Sequence, residues 1–332
     1  MYIVFLLLGC LAAVSAVPIQ KTWELVPTIE GRFTLVHVDP FNLEPEEPEF
    51  LFVPETDVIF RLFTRSNPTE PQFLELGNSG SISGSNFNPA NPTRFTIHGW
   101  NSNGEDGLNT RTRDELLAIG DYNMISVDWS AANSANYLTS RNHVQAAGRG
   151  VSLLIAELVN LGASENDMYL IGFSLGAHVA ANAGKFTGGR INTIFGLDPA
   201  GPFFGPDRED SLHASDAQYV EQIGTNGGVL GINLPLGGAS FFPNGGRSQP
   251  GCGTDLAGSC AHGRAPAFYV ESLRSSVPFR SIRCLNHDQI LQGNCQDQGS
   301  SANMGGEPSN FGRGVEGVYF LTTNDQSPFA RG

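Results

Sequence analysis

Lysine is nearly absent from this chain of 332 residues. Only Lys21 and Lys185 occur, and arginine supplies the other side-chain cations. Acidic residues outnumber basic ones, 33 against 19, giving a formal net charge of −14. That balance excludes a basic face for nucleic acid and argues against electrostatic docking on an anionic membrane. Beyond the amino terminus no apolar run approaches the length of a membrane span. No Cys-x-x-Cys or His-x-x-x-His spacing is present, which counts against a zinc site. No Asn-x-Ser/Thr acceptor survives the exclusion of proline, so N-glycosylation is not expected. Internal repeats are absent, and no shift of composition after residue 50 marks a second domain.

The one apolar run, Ile3 to Leu8, is followed by the small-residue site Val14-Ser15-Ala16. Residues 1–16 read as a secretory signal peptide, which predicts a secreted, extracellular protein. Residues 17–54 read as an N-terminal extended segment. Its acidic, proline-rich part runs from Pro40 to Pro54. Of the five cysteines, Cys10 lies in the signal. Cys252, Cys260, Cys284 and Cys295 remain, an even number that suggests disulfides with three connectivities open. Short loops favour Cys252–Cys260 and Cys284–Cys295.

From residue 55 to 332 short apolar strands alternate with helical spacing. Asp57–Thr64, Arg94–His98, Met124–Asp128, Met168–Gly172 and Arg190–Leu197 read as strands. Asn136–Leu161 carries apolar residues at helical spacing, with Gly162 as a stop. Asn78–Asn91 reads as a polar loop. The pattern predicts an α/β fold with a mostly parallel sheet covered by helices.

Within it lies Gly172-Phe173-Ser174-Leu175-Gly176, a Gly-x-Ser-x-Gly pattern between an apolar strand and a helical run. In that context a serine sits on a tight, strained turn and becomes a nucleophile. Such a serine needs a base, a buried acid and two backbone N–H groups facing an oxyanion, with chain order Ser, acid, His. Asp198, at the carboxyl end of an apolar strand and before Pro199, is the expected acid. Asp207, Asp210 and Asp216 lie in polar surroundings and read as solvated. Three histidines follow Asp198. His262, two residues after Cys260 and before a helical run from Ala265, is the expected base. His213 and His287 read as surface residues, and His178 as packed inside. The oxyanion donors expected are the N–H groups of Leu175 and Trp100. No cofactor and no metal are expected.

Several segments carry a resemblance: FTIHGW, LIGFSLGAHVAANAG, INTIFGLDPAGPFF, FFPNGGRSQPGC, CAHGRAPAFYVES and the closing VYFLTTNDQSPFARG. From about residue 55 onwards the chain resembles the animal pancreatic-type lipase family as its insect members appear. The resemblance implies an α/β-hydrolase fold and a lipid ester substrate met at a lipid–water interface. It assigns Ser174, Asp198 and His262 as nucleophile, acid and base, and Cys252–Cys260 as the lid disulfide. The chain ends where that family's lipase domain ends, so no C-terminal β-sandwich and no colipase docking are expected. The lid, Gly253 to Ser259, is too short to roof a lipid-sized groove, so an open site is expected. Asp207–Asp216 corresponds to the family's calcium loop, but Ser211 and His213 stand where an arginine and an acid are usual. The expected activity is that of a triacylglycerol lipase-like ester hydrolase, with phospholipase A1 or galactolipid cleavage, or a silent lipid-binding or yolk-type relative, as the alternative.

Overall fold

The computed structural model describes residues 23–28, 32–37, 52–132 and 136–332. The segment read as a signal peptide, residues 1–16, and most of the acidic stretch lie outside them. Two short strands, β1 (Trp23–Pro27) and β2 (Phe33–His37), pair antiparallel as a small sheet of their own. They belong to the segment read from sequence only as an extended lead-in.

The remaining strands form one sheet. In chain order they are β3 (Ile59–Phe63), β4 (Gln72–Leu74), β5 (Thr93–Ile97), β6 (Asn123–Asp128), β7 (Met168–Phe173), β8 (Thr193–Leu197), β9 (Tyr219–Ile223), β10 (Ala239–Pro243), β11 (Arg280–Cys284), β12 (Ser301–Asn303) and β13 (Gly317–Leu321). Their spatial order is β12-β11-β13-β10-β9-β8-β7-β5-β6-β3-β4. From β13 across to β6 neighbouring strands are parallel. Strands β3, β4, β11 and β12 add antiparallel edges. The α/β architecture expected from the alternating pattern is present.

The helices are α1 (Pro54–Asp57), α2 (Ser79–Ser83), α3 (Gly107–Ile119), α4 (Tyr137–Asn142), α5 (Val144–Asn160), α6 (Leu175–Phe186), α7 (Ser259–Ser272) and α8 (His287–Leu291). Strand side chains alternate between two faces. On β7, Met168 and Leu170 join the core under α5 and α6, while Tyr169 and Ile171 join the core under α3 and α7. Both faces are therefore covered, which explains the unbroken apolar runs. The helical span expected over Asn136–Leu161 breaks at His143 into α4 and α5. The His143 ring there bonds the Thr139 carbonyl at 2.7 Å. Strand β3 starts two residues later than expected because Asp57 closes a helical turn, accepting from the Val53 N–H at 2.8 Å. The loop read over Asn78–Asn91 contains the short helix α2.

Candidate active site

Ser174, Asp198 and Trp100 all lie just beyond the carboxyl ends of parallel strands: β7, β8 and β5 respectively. Open parallel sheets place their functional groups at such ends. Ser174 has φ 57° and ψ −122°, a conformation L residues avoid. It costs about 1–3 kcal/mol and persists only where its surroundings enforce it. Here the Ser174 N–H donates to the Leu197 carbonyl at 3.0 Å, and its own carbonyl accepts from Ala177 and Ala200 at 3.1 and 3.2 Å. Both motif glycines sit where the backbone passes too close for a side chain. A Cβ on Gly172 would strike the Gly176 carbonyl, and one on Gly176 would strike the carbonyls of Ile97 and His98.

Asp198 also has positive φ, 39°, and is fully buried. A buried carboxylate needs donors to offset lost hydration. Oδ1 accepts from the N–H groups of Thr225 and Asn226 at 2.7 and 3.0 Å. Oδ2 lies 2.5 Å from Nδ1 of His262. His262 rides on the first turns of α7, which begins at Ser259, six residues earlier than the helical run read from sequence. His262 is therefore on a helix, not on a loop. Asp255 makes that early start possible by accepting from the N–H groups of Cys260 and Ala261 at 3.3 and 2.7 Å. Disulfide Cys252–Cys260 ties the same end, and Cys284–Cys295 closes the second bridge, so both local pairings are present.

Ser174 and His262 line one cavity of about 260 Å³. Trp100, Phe173, Tyr137 and Leu230 make it largely apolar. The Phe173 ring stands 4.5 Å from the His262 ring, centroid to centroid. No hydrogen bond joins the His262 ring to the Ser174 hydroxyl among the described residues; the ring's bond is to Asp198. Ala257 and Ser259 of the disulfide loop line the cavity, as do Pro27, Thr28, Arg32 and Phe33 of the β1–β2 hairpin. The cavity thus has a wall that the open-site expectation did not include.

Leu175 is the first residue of α6, so its N–H has no acceptor within the helix. The peptide before Trp100 is held from behind. His98 is fully buried, its Nε2 accepts from the Trp129 N–H at 3.1 Å, and its Nδ1 faces the Gly99 carbonyl at 2.9 Å. With Nε2 accepting, the ring proton sits on Nδ1 and donates to Gly99. That carbonyl and the Trp100 N–H belong to one peptide, so His98 sets the direction of both.

The other histidines lie elsewhere. His178 is fully buried, between the Ala200 carbonyl and the Leu212 N–H at 2.9 and 3.1 Å. His287, read as a surface residue, is buried against Phe242 with ring centroids 4.4 Å apart, and burial lowers its pKa. It opens α8 and lies over Phe242 of the apolar strand β10. His213 is half-buried and bonds the Arg208 carbonyl at 2.9 Å. Asp216, read as solvated, is buried beside Lys185 at 2.7 Å. Asp210 likewise pairs with Arg141 at 2.5 Å.

These cations bear on a metal in the Asp207–Asp216 loop. The Lys185 ammonium donates to Asp216 and, at 2.7 Å, to the Ser211 carbonyl. A divalent cation does not fit beside an ammonium already holding those oxygens. Cys252, Asp255 and Cys260 also cluster, but their sulfurs are joined and offer no thiolate.

The family model described as Lipase matches residues 37–329. This chain belongs to the lipase family. It is 38% identical over 247 residues to phospholipase A1 member A of Bos taurus, covering 72% of this chain and 54% of that protein. It is 31% identical over 320 residues to pancreatic triacylglycerol lipase of Oryctolagus cuniculus, covering 88% and 68%. The chain therefore spans about half the length of the phospholipase relative. Among solved structures, an α/β hydrolase from a deep-sea metagenome, MGS-M1, aligns with 15% identity and a TM-score of 0.32 over 52% of this chain and 66% of that one.

Proposed function

We propose that this lipase-family chain is a secreted serine hydrolase of lipid esters, with residues 55–332 as the hydrolase domain. The observation that carries the reading is the 2.5 Å contact of Asp198 with His262, whose ring shares a cavity wall with strained Ser174. In this mechanism Ser174 Oγ attacks the ester carbonyl while His262 Nε2 takes its proton. Asp198 holds the Nδ1–H tautomer and stabilises the imidazolium. The oxyanion is met by the N–H groups of Leu175 and Trp100. The imidazolium returns its proton to the leaving alcohol as the C–O bond breaks, leaving an acyl-serine. Water, deprotonated by His262, then releases the fatty acid. Apo geometry tightens in the substrate complex, so the missing Ser174–His262 bond is compatible with this chemistry.

A phospholipase A1 reading is favoured by Arg32. It is the one arginine or lysine lining the cavity among the described residues, a positive charge available to a headgroup phosphate. Hydrolysis of phosphatidylcholine measured against trioctanoylglycerol separates the two substrates. In the phospholipase reading Arg32→Gln lowers the phospholipid rate alone. Ser174→Ala tests the activity itself: on the order of 10⁵–10⁶ in kcat should be lost with the fold unchanged. A folded variant that retains a hundredth of the activity refutes the assignment. An unmutated protein without esterase activity leaves the storage-type reading.

A further inference from the structure

The β1–β2 hairpin precedes almost all of the region that matches the family, which begins at residue 37. One of its faces does two things. Pro27 and Phe33 are opposite one another in the register and line the cavity with Ser174 and His262. Two residues along each strand, on the same face, Leu25 stands opposite Leu35. That is about 7 Å from the cavity pair, at about 3.4 Å per residue. The two leucines are 56% and 62% exposed. The opposite face is anchored: Val26 is buried in the main core, and the Glu24 carboxylate accepts from the Phe203 N–H at 2.7 Å.

The exposed leucines continue into a groove of about 650 Å³ whose far side carries Val229 and Leu234. In the disulfide loop, next to the cavity-lining Ala257, Leu256 is 86% exposed. Exposed apolar side chains therefore continue from the cavity lining along the hairpin, and such patches on soluble proteins mark interaction sites.

We propose that the outer face of the β1–β2 hairpin, together with exposed Leu256, is the surface by which this protein docks on an electrically neutral lipid–water interface. The inference rests on the esterase reading and names the contact that delivers its substrate. Continuity with the cavity selects lipid as the occupant, because chains entering from the interface reach Ser174 without crossing water. The net charge of −14 excludes attraction to anionic surfaces and leaves apolar insertion as the driving term. Transfer of the exposed part of each leucine corresponds to roughly fivefold to tenfold in partitioning.

The test uses Ser174→Ala protein, so that binding is read without turnover. Cosedimentation with phosphatidylcholine vesicles should fall about 30-fold or more when Leu25→Ser and Leu35→Ser are added, with an unchanged thermal midpoint. A separate Leu35→Cys variant, labelled with an environment-sensitive dye, should shift to the blue on the same vesicles. Unchanged cosedimentation of the folded double variant, or no dye shift on vesicles that bind the protein, overturns the proposal. So does a dimer, seen by sedimentation, that the leucine changes dissolve while vesicle binding persists. Vesicle binding by a protein that hydrolyses no ester would instead refute the catalytic reading and leave the docking surface standing.

Discussion

Gly231 stands so close to Asp198 that a methyl group on it would lie 2.5 Å from both carboxylate oxygens. The glycine belongs to the loop after β9, and it closes the side of the carboxylate not taken by His262, Thr225 and Asn226. Gly231→Ala should therefore displace the carboxylate and misalign His262. Misplacement of a catalytic group by about 1 Å costs roughly 10²-fold in rate. Steady-state kinetics on a soluble ester should show the loss in kcat with KM nearly unchanged. Gly205→Ala, with open space around it, is the control and should be near wild type. Full kcat in Gly231→Ala would remove Asp198 from the mechanism.

Asp198→Asn keeps the shape and removes the charge. The amide cannot hold the Nδ1–H tautomer and balance an imidazolium, so kcat should fall by about 10⁴. Labelling of Ser174 by a fluorophosphonate should slow in parallel, since the probe reports on the same nucleophile. A tenfold loss or less would mean that Asp198 serves only the fold.

Two buried groups set opposite pH slopes on stability. Burial lowers the pKa of His178 from 6.5 to about 3. The unfolded chain takes up that proton and the native state does not, so stability from this site is complete above about 6.5 and lost as pH falls towards 3. Burial raises the pKa of Glu221 from 4.5 to about 7, despite hydrogen bonds from Asn310, Gly305 and Tyr219. The native state keeps that proton longer, so stability declines as pH rises from 4.5 to about 7. Urea midpoints measured from pH 4 to 8 should show Glu221→Gln gaining on wild type through this window, by about 3 kcal/mol at its end. His178→Gln should remove the acid-side loss. Parallel curves for wild type and Glu221→Gln would show that folding leaves the pKa of its carboxyl unshifted.

Lys185 stands where a bound cation would otherwise hold Asp216 and the Ser211 carbonyl. Excess chelator should leave activity and thermal midpoint unchanged. Lys185→Ala strands the buried Asp216 and should cost about 3 kcal/mol, read as a lower midpoint. Loss of wild-type activity in chelator, restored by calcium, would show that the loop does take a metal.

Much of the candidate site is legible in the sequence. Ser174 announces itself because an elbow needs small residues on both sides and a strand and helix around it, all within about ten positions. Asp198 follows from the same logic, since strand ends at one edge of a parallel sheet converge. His262 stands out from His213 and His287 by its neighbours Cys260 and Ala265, but the helix that carries it starts earlier than its sequence suggests, at Ser259.

What the chain determines by itself is local: the periodicity of its strands and helices, the glycines that let backbone pass close to backbone, and the short cysteine spacings. What only the tertiary structure decided is non-local. The hairpin wall, the burial of His287, the Lys185–Asp216 pair and the fit of Gly231 against Asp198 all join segments far apart in sequence. Segment 23–37 carries only alternating apolar residues, a pattern that any half-exposed hairpin shows. Which face meets the cavity depends on where the strand ends of the large sheet bring Ser174 and His262, and no local pattern encodes that meeting. Buried charge follows the same rule, because desolvation is set by every element around a group.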